Sequence, residues 1–182
     1  MGFQGSLKLM TAAIDQAMGD ANWKGLALIV GTGGIGEAIT TALARQCPCL
    51  TVITAGRQGG SLQQLQLDLE SDADLARLAS DLQQFEQPLR LVFNCSGRLH
   101  GPGLIPEKRL SQLSRAALTE QFAINAFAPV LLAKAVEPLL ERNRPFHFAS
   151  LSARVGSIGD NRSGGWYSYR AAKSAQNQLL KT

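Results

Sequence analysis

A short apolar run that ends in a cluster of glycines constrains this chain more than any other feature. Leu26-Ala27-Leu28-Ile29-Val30 is bounded by Gly25 and Gly31. It is long enough for a strand and too short for a helix. Unbroken apolar runs of this kind belong to strands buried on both faces of a parallel sheet. Gly31-Thr32-Gly33-Gly34-Ile35-Gly36 follows at once, and Glu37 to Gln46 then reads as a helix. The spacing of Gly31, Gly33 and Gly36 is G-x-G-x-x-G, and each glycine has a physical task. Gly31 permits the tight turn out of the strand, Gly33 lets backbone approach a pyrophosphate, and Gly36 lets the helix pack closely on the sheet. The helix N-terminus then offers unpaired N–H groups and a partial positive charge to phosphates. The whole turn from Gly31 to Gly36 is read as a dinucleotide-binding loop. The plain alternative is a structural turn with no ligand.

The rest of the chain keeps the alternation going. Leu50 to Ala55 is a second β-rich run, and Leu62 to Leu69 is a weaker third. Ser71 to Phe85 reads as a helix with Leu75, Leu78, Ala79 and Leu82 on one face. Arg90 to Asn94 is another buried strand, Ser111 to Glu141 gives one or two helices, and Phe146 to Ser150 is a fifth strand. Tyr167 to Thr182 begins a further helix. Strands alternating with helices predict an α/β fold, a doubly wound parallel sheet of the Rossmann kind covered on both faces. Residues 25–182 form that domain. Residues 1–24 are an N-terminal extension, in which Leu7 to Met18 has the spacing of a short amphipathic helix and Asp20-Ala21-Asn22 reads as a break. Doubly wound sheets bind ligands beyond the carboxyl ends of their strands, so the informative residues should lie just after each strand.

Composition excludes several functions. The 182 residues carry 18 Lys and Arg against 14 Asp and Glu, with no concentrated basic run. A nucleic-acid binder usually shows such a stripe. Cys47 and Cys49 are separated only by Pro48, which is not redox or zinc-knuckle spacing, and Cys95 is distant. His100 and His147 have no acidic or cysteine partners at ligand spacing, so no metal is expected. No long apolar run and no basic-then-apolar leader is present, so neither a membrane span nor a secretory signal is expected. The cytoplasm is the default location.

At the end of the second strand an acid about 20 residues past the glycines would bind the 2′-hydroxyl of NAD. Here the strand ends Ala55-Gly56-Arg57. Arg57 can pair with a 2′-phosphate and lie on an adenine face, which favours NADP over NAD. A solvated arginine in a glycine-rich loop is the alternative. Further on, Tyr169-Arg170-Ala171-Ala172-Lys173 places a phenol and an ammonium one helical turn apart. A free tyrosine has a pKa of about 10, and a neighbouring ammonium lowers it. The pair suits general acid/base chemistry on an alcohol or a carbonyl.

With these residues the chain resembles the short-chain dehydrogenase/reductase family, its classical branch, and within it the small C-factor-like members. The resemblance runs from Leu26 to the last residue. A fifth strand ending in serine is supplied by Phe146-His147-Phe148-Ala149-Ser150-Leu151-Ser152. Gly156-Ser157-Ile158-Gly159-Asp160-Asn161 and Gly164-Gly165-Trp166-Tyr167-Ser168-Tyr169 look like that group's loop. The turn after strand four appears as Asn94-Cys95-Ser96-Gly97, the helix asparagine as Asn125, and the adenine-contacting acid as Asp68-Leu69.

The resemblance implies an NADP(H)-dependent oxidoreductase acting on a small carbonyl or alcohol. Tyr169 would donate the proton, and Lys173 would hold the nicotinamide ribose and depress the Tyr169 pKa. Ser152 would hydrogen-bond the carbonyl, and Asn125 would position a water that relays protons to Lys173. Tyr167 lacks a lysine at the matching distance. Three departures are visible. The glycine loop is one residue shorter than the family's form. The family's Ser-x-x-Gly pattern falls on Ala153, with Ser152 adjacent and Ser150 on the same side of an extended strand. The chain stops at Thr182, where family members continue with two strands and a substrate lid, so it is expected to be truncated relative to them. The sheet edge that this leaves uncovered invites association, so a homo-oligomer is expected. A non-catalytic dinucleotide-binding or signalling module is the competing reading.

Overall fold

The computed structural model describes residues 23–58 and 63–182. The helix expected over Leu7 to Met18 lies outside the described residues, as does Leu62, the first residue of the expected third strand.

Five parallel strands form one sheet: β1 (Gly25–Val30), β2 (Leu50–Gly56), β3 (Gln64–Gln66), β4 (Leu89–Asn94) and β5 (His147–Ser150), in the order β3-β2-β1-β4-β5. The chain runs outward from β1 to β2 and β3, then crosses back to β4 and β5. The reversal leaves a crevice where β1 and β4 part at their carboxyl ends. Register levels the strand ends: Val30 pairs with Ala55 on one side and Asn94 on the other, and Asn94 pairs with Ser150. The residues just after β1, β2, β4 and β5 therefore share one rim.

All six residues of β1 are buried, as its unbroken apolar run requires. Alternate residues serve opposite faces. Leu26, Leu28 and Val30 pack with Ile53, Val92, the leucines Leu75, Leu78 and Leu82 of α2 (Asp72–Gln83), and Leu132 and Val136 of α4 (Ala128–Val136). Ala27 and Ile29 pack with Phe93, Trp23 and Leu43 of α1 (Gly34–Gln46). Each fully buried Leu, Ile or Val contributes roughly 1.5–3 kcal/mol. Helix α2 starts at Ser71, whose hydroxyl accepts from the Asp74 N–H at 3.2 Å, and Asp72 and Asp74 complement the helix dipole.

Three boundaries differ from the sequence expectation. Helix α1 begins at Gly34, so two of the loop glycines, Gly34 and Gly36, are helical. The third strand is only Gln64–Gln66. Leu67 N–H still bonds the Gly56 carbonyl, but Asp74 then accepts the Asp68 N–H at 2.8 Å and Ser71 N–H bonds the Asp68 carbonyl, turning the chain into α2. The span Ser111 to Glu141 contains α3 (Arg115–Phe122), a π-helical turn (Ala123–Phe127), and α4. By length and composition Arg115–Leu139 is apolar enough to cross a membrane. Here Ala128, Leu132 and Val136 lie in the core beneath the sheet.

Two side chains tie the opposite rim together. His147 stacks on Trp23, with ring centroids 4.9 Å apart. Arg90, inside β4, is buried and donates to the carbonyls of Lys24 (3.2 Å) and Pro145 (3.4 Å), tying the starts of β1 and β5 together. Burial lowers its pKa.

Candidate active site

The crevice is a cavity of about 420 Å³ along the shared rim. Gly31, Thr32 and Gly33 form its floor, Arg57 and Asp68-Leu69 stand at one end, and Cys95, Ser96 and Gly97 line the β4 side. Of the residues expected to hold a dinucleotide, Gly34, Ile35, Gly36, Asn94, Tyr169 and Lys173 are not part of this wall. Gly36 and Asn94 are buried behind it. A Cβ on Gly36 would lie 1.8 Å from the Gly31 carbonyl oxygen, so the helix can approach the strand only through glycine. Gly31 itself has φ +101°, which disfavours a side chain. A Cβ on Gly33 or Gly34 would meet nothing within 4 Å. Those two positions face open space, where a ligand can approach. Gly33 is the N-cap of α1 and no side chain caps it. The first-turn N–H groups are left to an anion, and a pyrophosphate fits them.

Helix α5 (Tyr167–Lys181) brings the second constellation to the same rim. Its N-cap, Trp166, is left-handed at φ +53° and follows two positive-φ glycines, Gly164 and Gly165. Trp166 N–H bonds the Glu107 carbonyl, and the Ser168 N–H donates to the Glu107 carboxylate at 3.4 Å. The buried loop residue Glu107 thus caps the helix from outside. Tyr169 packs edge-on against Trp166, with centroids 6.4 Å apart. Lys173 is 3% exposed, and its Nζ lies 6.0 Å from the Tyr169 ring centroid.

The Lys173 ammonium donates to the Leu151 carbonyl (2.9 Å) and to Gln176 Oε1 (2.8 Å). Burial, with no carboxylate partner among the described residues, lowers its pKa to about 8. Tyr169 shifts upward, again through burial. The sequence expectation that Lys173 depresses the Tyr169 pKa is therefore corrected for this chain: desolvation of the phenol outweighs an ammonium already turned toward two other acceptors. Cys95, on the cleft wall, is pushed up to about 11 by burial, so its thiol stays protonated at neutral pH.

Asn125 and Lys173 converge on Gly97. A Cβ there would be 3.2 Å from Asn125 Oδ1 and 3.5 Å from Lys173 Nζ. Asn125 is fully buried in the π-helical turn. Its amide accepts from Arg98 N–H (3.0 Å) and donates to the Arg98 carbonyl (2.8 Å) and to Gln121 Oε1 (2.6 Å). It therefore anchors the backbone that follows the β4 turn. Asn94 does the same from below: its Oδ1 accepts from both the N–H and the hydroxyl of Ser96, and its Nδ2 donates to Ser150 Oγ at 3.1 Å.

The two candidate serines have different partners. Ser152 is exposed, and its hydroxyl donates to Asn177 Oδ1 at 2.6 Å. Asn177 lies eight residues beyond Tyr169, roughly 12 Å along the helix axis at ~1.5 Å per residue. The one hydrogen bond of the Ser152 side chain among the described residues is thus made toward the far end of α5. Ser150 faces inward instead, held between Asn94 and Gln176. Sequence reading missed Glu107, Gln121 and Gln176. None belongs to a short motif, and Glu107 acts on a residue 61 positions away. The one available signal was i, i+3 spacing on a helix, which links Lys173 to Gln176.

A family model described as short chain dehydrogenase matches residues 25–182. The chain is similar to 1-hydroxy-2-glutathionyl-2-methyl-3-butene dehydrogenase of Rhodococcus sp. (strain AD45), 34% identical over 113 residues, covering 62% of this chain and 46% of that protein. It is also similar to C-signal of Myxococcus xanthus, 32% identical over 73 residues, covering 40% of this chain and 44% of that one. The chain thus spans less than half the length of these curated relatives. Among solved structures, the carbonyl reductase Sniffer of D. melanogaster superimposes with a TM-score of 0.74 at 25% identity, covering 87% of this chain and 73% of that one. A short-chain dehydrogenase/reductase from Burkholderia multivorans with bound NADP gives 0.69 at 22% identity, covering 86% and 71%, a likeness of fold.

Proposed function

The chain belongs to the short-chain dehydrogenase family, and from that premise we propose that it transfers hydride between NADP(H) and a small carbonyl or alcohol, with Tyr169 as the proton donor and acceptor. The observation that carries this reading is the placement of Tyr169 and Lys173 one turn apart on α5, with the ammonium buried beneath Gly97 at the wall of the glycine cleft. The nicotinamide cofactor supplies the hydride when bound. The turn at Gly33–Gly34 and the N-terminus of α1 would hold its pyrophosphate, Arg57 its 2′-phosphate, Asp68-Leu69 its adenine, and Lys173 its nicotinamide ribose.

The chain's own contribution is a proton at a defined atom. Burial raises the Tyr169 pKa, so the phenol is protonated at neutral pH. A protonated phenol is the form needed to deliver a proton to a carbonyl oxygen as it becomes an alcohol. Lys173 carries its charge below about pH 8 and loses it above, so an ammonium beside the phenol is available through the neutral range.

The test is NADPH binding by fluorescence, followed by NADPH oxidation with a panel of small carbonyls, for the wild type and Tyr169→Phe. Turnover that disappears in the variant while binding persists is the expected result. Turnover that survives rejects the mechanism. One observation favours the alternative, a dinucleotide-binding module without catalysis: the hydroxyl of Ser152 is directed at Asn177 and not at Tyr169. NADPH binding with no turnover on any carbonyl in the wild type would decide for it.

A further inference from the structure

We infer that Gln176 is a positioning residue for Lys173: its side-chain amide holds the ammonium beneath Gly97 and stabilises its charge, and it links that ammonium through Ser150 and Asn94 to the turn on the cleft wall.

Gln176 is 1% exposed. A primary amide is costly at such a place unless its hydrogen bonds are made, and here they are. Its Oε1 accepts from Lys173 Nζ at 2.8 Å, and its Nε2 donates to Ser150 Oγ at 3.0 Å and to the Leu151 carbonyl at 3.2 Å. Because Nε2 is fixed from two sides, Oε1 can point only at the ammonium. Ser150 Oγ also accepts from Asn94 Nδ2, and Asn94 Oδ1 accepts from the Ser96 hydroxyl at 2.6 Å. One hydrogen-bonded series of side chains thus runs from Ser96, on the cleft wall, to Lys173. Such a series fixes its members more tightly than separate pairs would.

The electrostatics leave this role to the amide. Lys173 makes no ion pair among the described residues, and burial alone accounts for its lowered pKa of about 8. Tyr169 is the titratable group on its own helix that faces it. Charged and titratable groups on the elements packed against α5 are Arg115 and Glu120 on α3, Lys134 on α4, Arg154 in the turn after β5, and Cys95 and Arg98 after β4. Glu120 is committed to Arg98 at 2.7 Å, and Arg154 faces Asp160 at 3.5 Å. Glu107 serves the start of the helix. The ammonium therefore has two acceptors, both neutral, and one of them is the Leu151 backbone carbonyl, which no substitution removes. Gln176 Oε1 is the acceptor that evolution or an experimenter can change.

The experiment is a titration of the chain labelled with 13C at lysine Cε, the Lys173 signal being assigned by its loss in Lys173→Met. Gln176→Leu should lower the midpoint by about one pH unit, the scale of one hydrogen bond to a charged group. Gln176→Glu, which keeps the shape of the side chain, should raise it. Opposite shifts are the signature, because a residue that merely fills space would not move the midpoint according to the charge placed there. An unchanged midpoint in Gln176→Glu, or shifts in the same direction for both variants, overturns the inference. If Gln176→Leu does not fold, as judged by circular dichroism, Gln176→Glu alone decides. The kinetic consequence rests on the reading of Tyr169 and Lys173 as the catalytic pair: the alkaline limb of carbonyl reduction should move with the titration midpoint. Midpoints that move while that limb stays fixed would sink the catalytic reading and leave the positioning role intact.

Discussion

On the β1–β2 side the cleft is walled by backbone: Gly31 packs against the Cys95–Ser96 backbone, Gly33 lies against open space, and Gly36 lets α1 descend onto the strand. On the β4–β5 side it is walled by a polar series that runs from Ser96 through Asn94, Ser150 and Gln176 to Lys173. The first wall takes its chemistry from peptide N–H groups, which every residue carries, so the sequence there is chosen for what it lacks. The second takes its chemistry from particular side chains, and each depends on its neighbour for orientation. A wall of backbone should be sensitive to added bulk and indifferent to charge, and a wall of linked side chains should be sensitive to the loss of any one link.

The largest effect that can test this contrast is on the side-chain wall. Tyr169→Phe should lower carbonyl reduction by about 10²–10⁴-fold, the usual worth of a general acid, while NADPH affinity measured by fluorescence stays the same. Loss of both together would mean that the two walls are not separable.

Paired substitutions probe the backbone wall. Gly36→Ala places a Cβ against the Gly31 carbonyl, and should cost about 1–3 kcal/mol of stability as overpacking does, read as a lower Tm. Gly33→Ala meets nothing within 4 Å and should leave Tm unchanged while weakening NADPH binding. Equal binding in wild type and Gly33→Ala would show that no pyrophosphate approaches that backbone.

Arg57→Asp should shift preference from NADPH toward NADH by about ten- to a hundredfold, since a hydrogen-bonded charge is worth roughly 1.5–3 kcal/mol. Unchanged preference would remove Arg57 from the phosphate end. With pH, carbonyl reduction should hold below about pH 8 and decline above it, as Lys173 loses its charge. The same burial has a consequence for stability with a definite sign. The folded chain releases the Lys173 proton near 8 and the unfolded chain near 10.5, so between those values the unfolded state binds more protons and this group's contribution to stability rises with pH. Urea midpoints at pH 7 and pH 10 for wild type and Lys173→Met would check it: the wild type should gain stability relative to the variant as pH rises. The smallest effect belongs to Ser152→Ala, which should change turnover by less than about threefold, under 1 kcal/mol. A larger loss would place that hydroxyl at the reacting carbonyl.

Local signals were enough for most of the frame. The apolar run Leu26 to Val30 could only be a strand buried on both sides, and the alternation of strands and helices could only close as a parallel sheet. The glycine spacing placed the turn between β1 and α1, because a missing Cβ is a property of the residue itself. The Tyr169 and Lys173 pair was legible because a helix converts a spacing of four into a shared face. What the sequence could not decide was where each polar side chain spends its hydrogen bonds. Ser152 and Ser150 are two residues apart and chemically alike, yet β5 and α5 pack so that one meets Asn177 and the other meets Asn94 and Gln176. The directions of the Lys173 ammonium and the pKa of Tyr169 were settled by burial between elements distant in the chain. Periodicity is a local property of the backbone, whereas hydrogen-bond partners and desolvation arise only when separate segments are brought together.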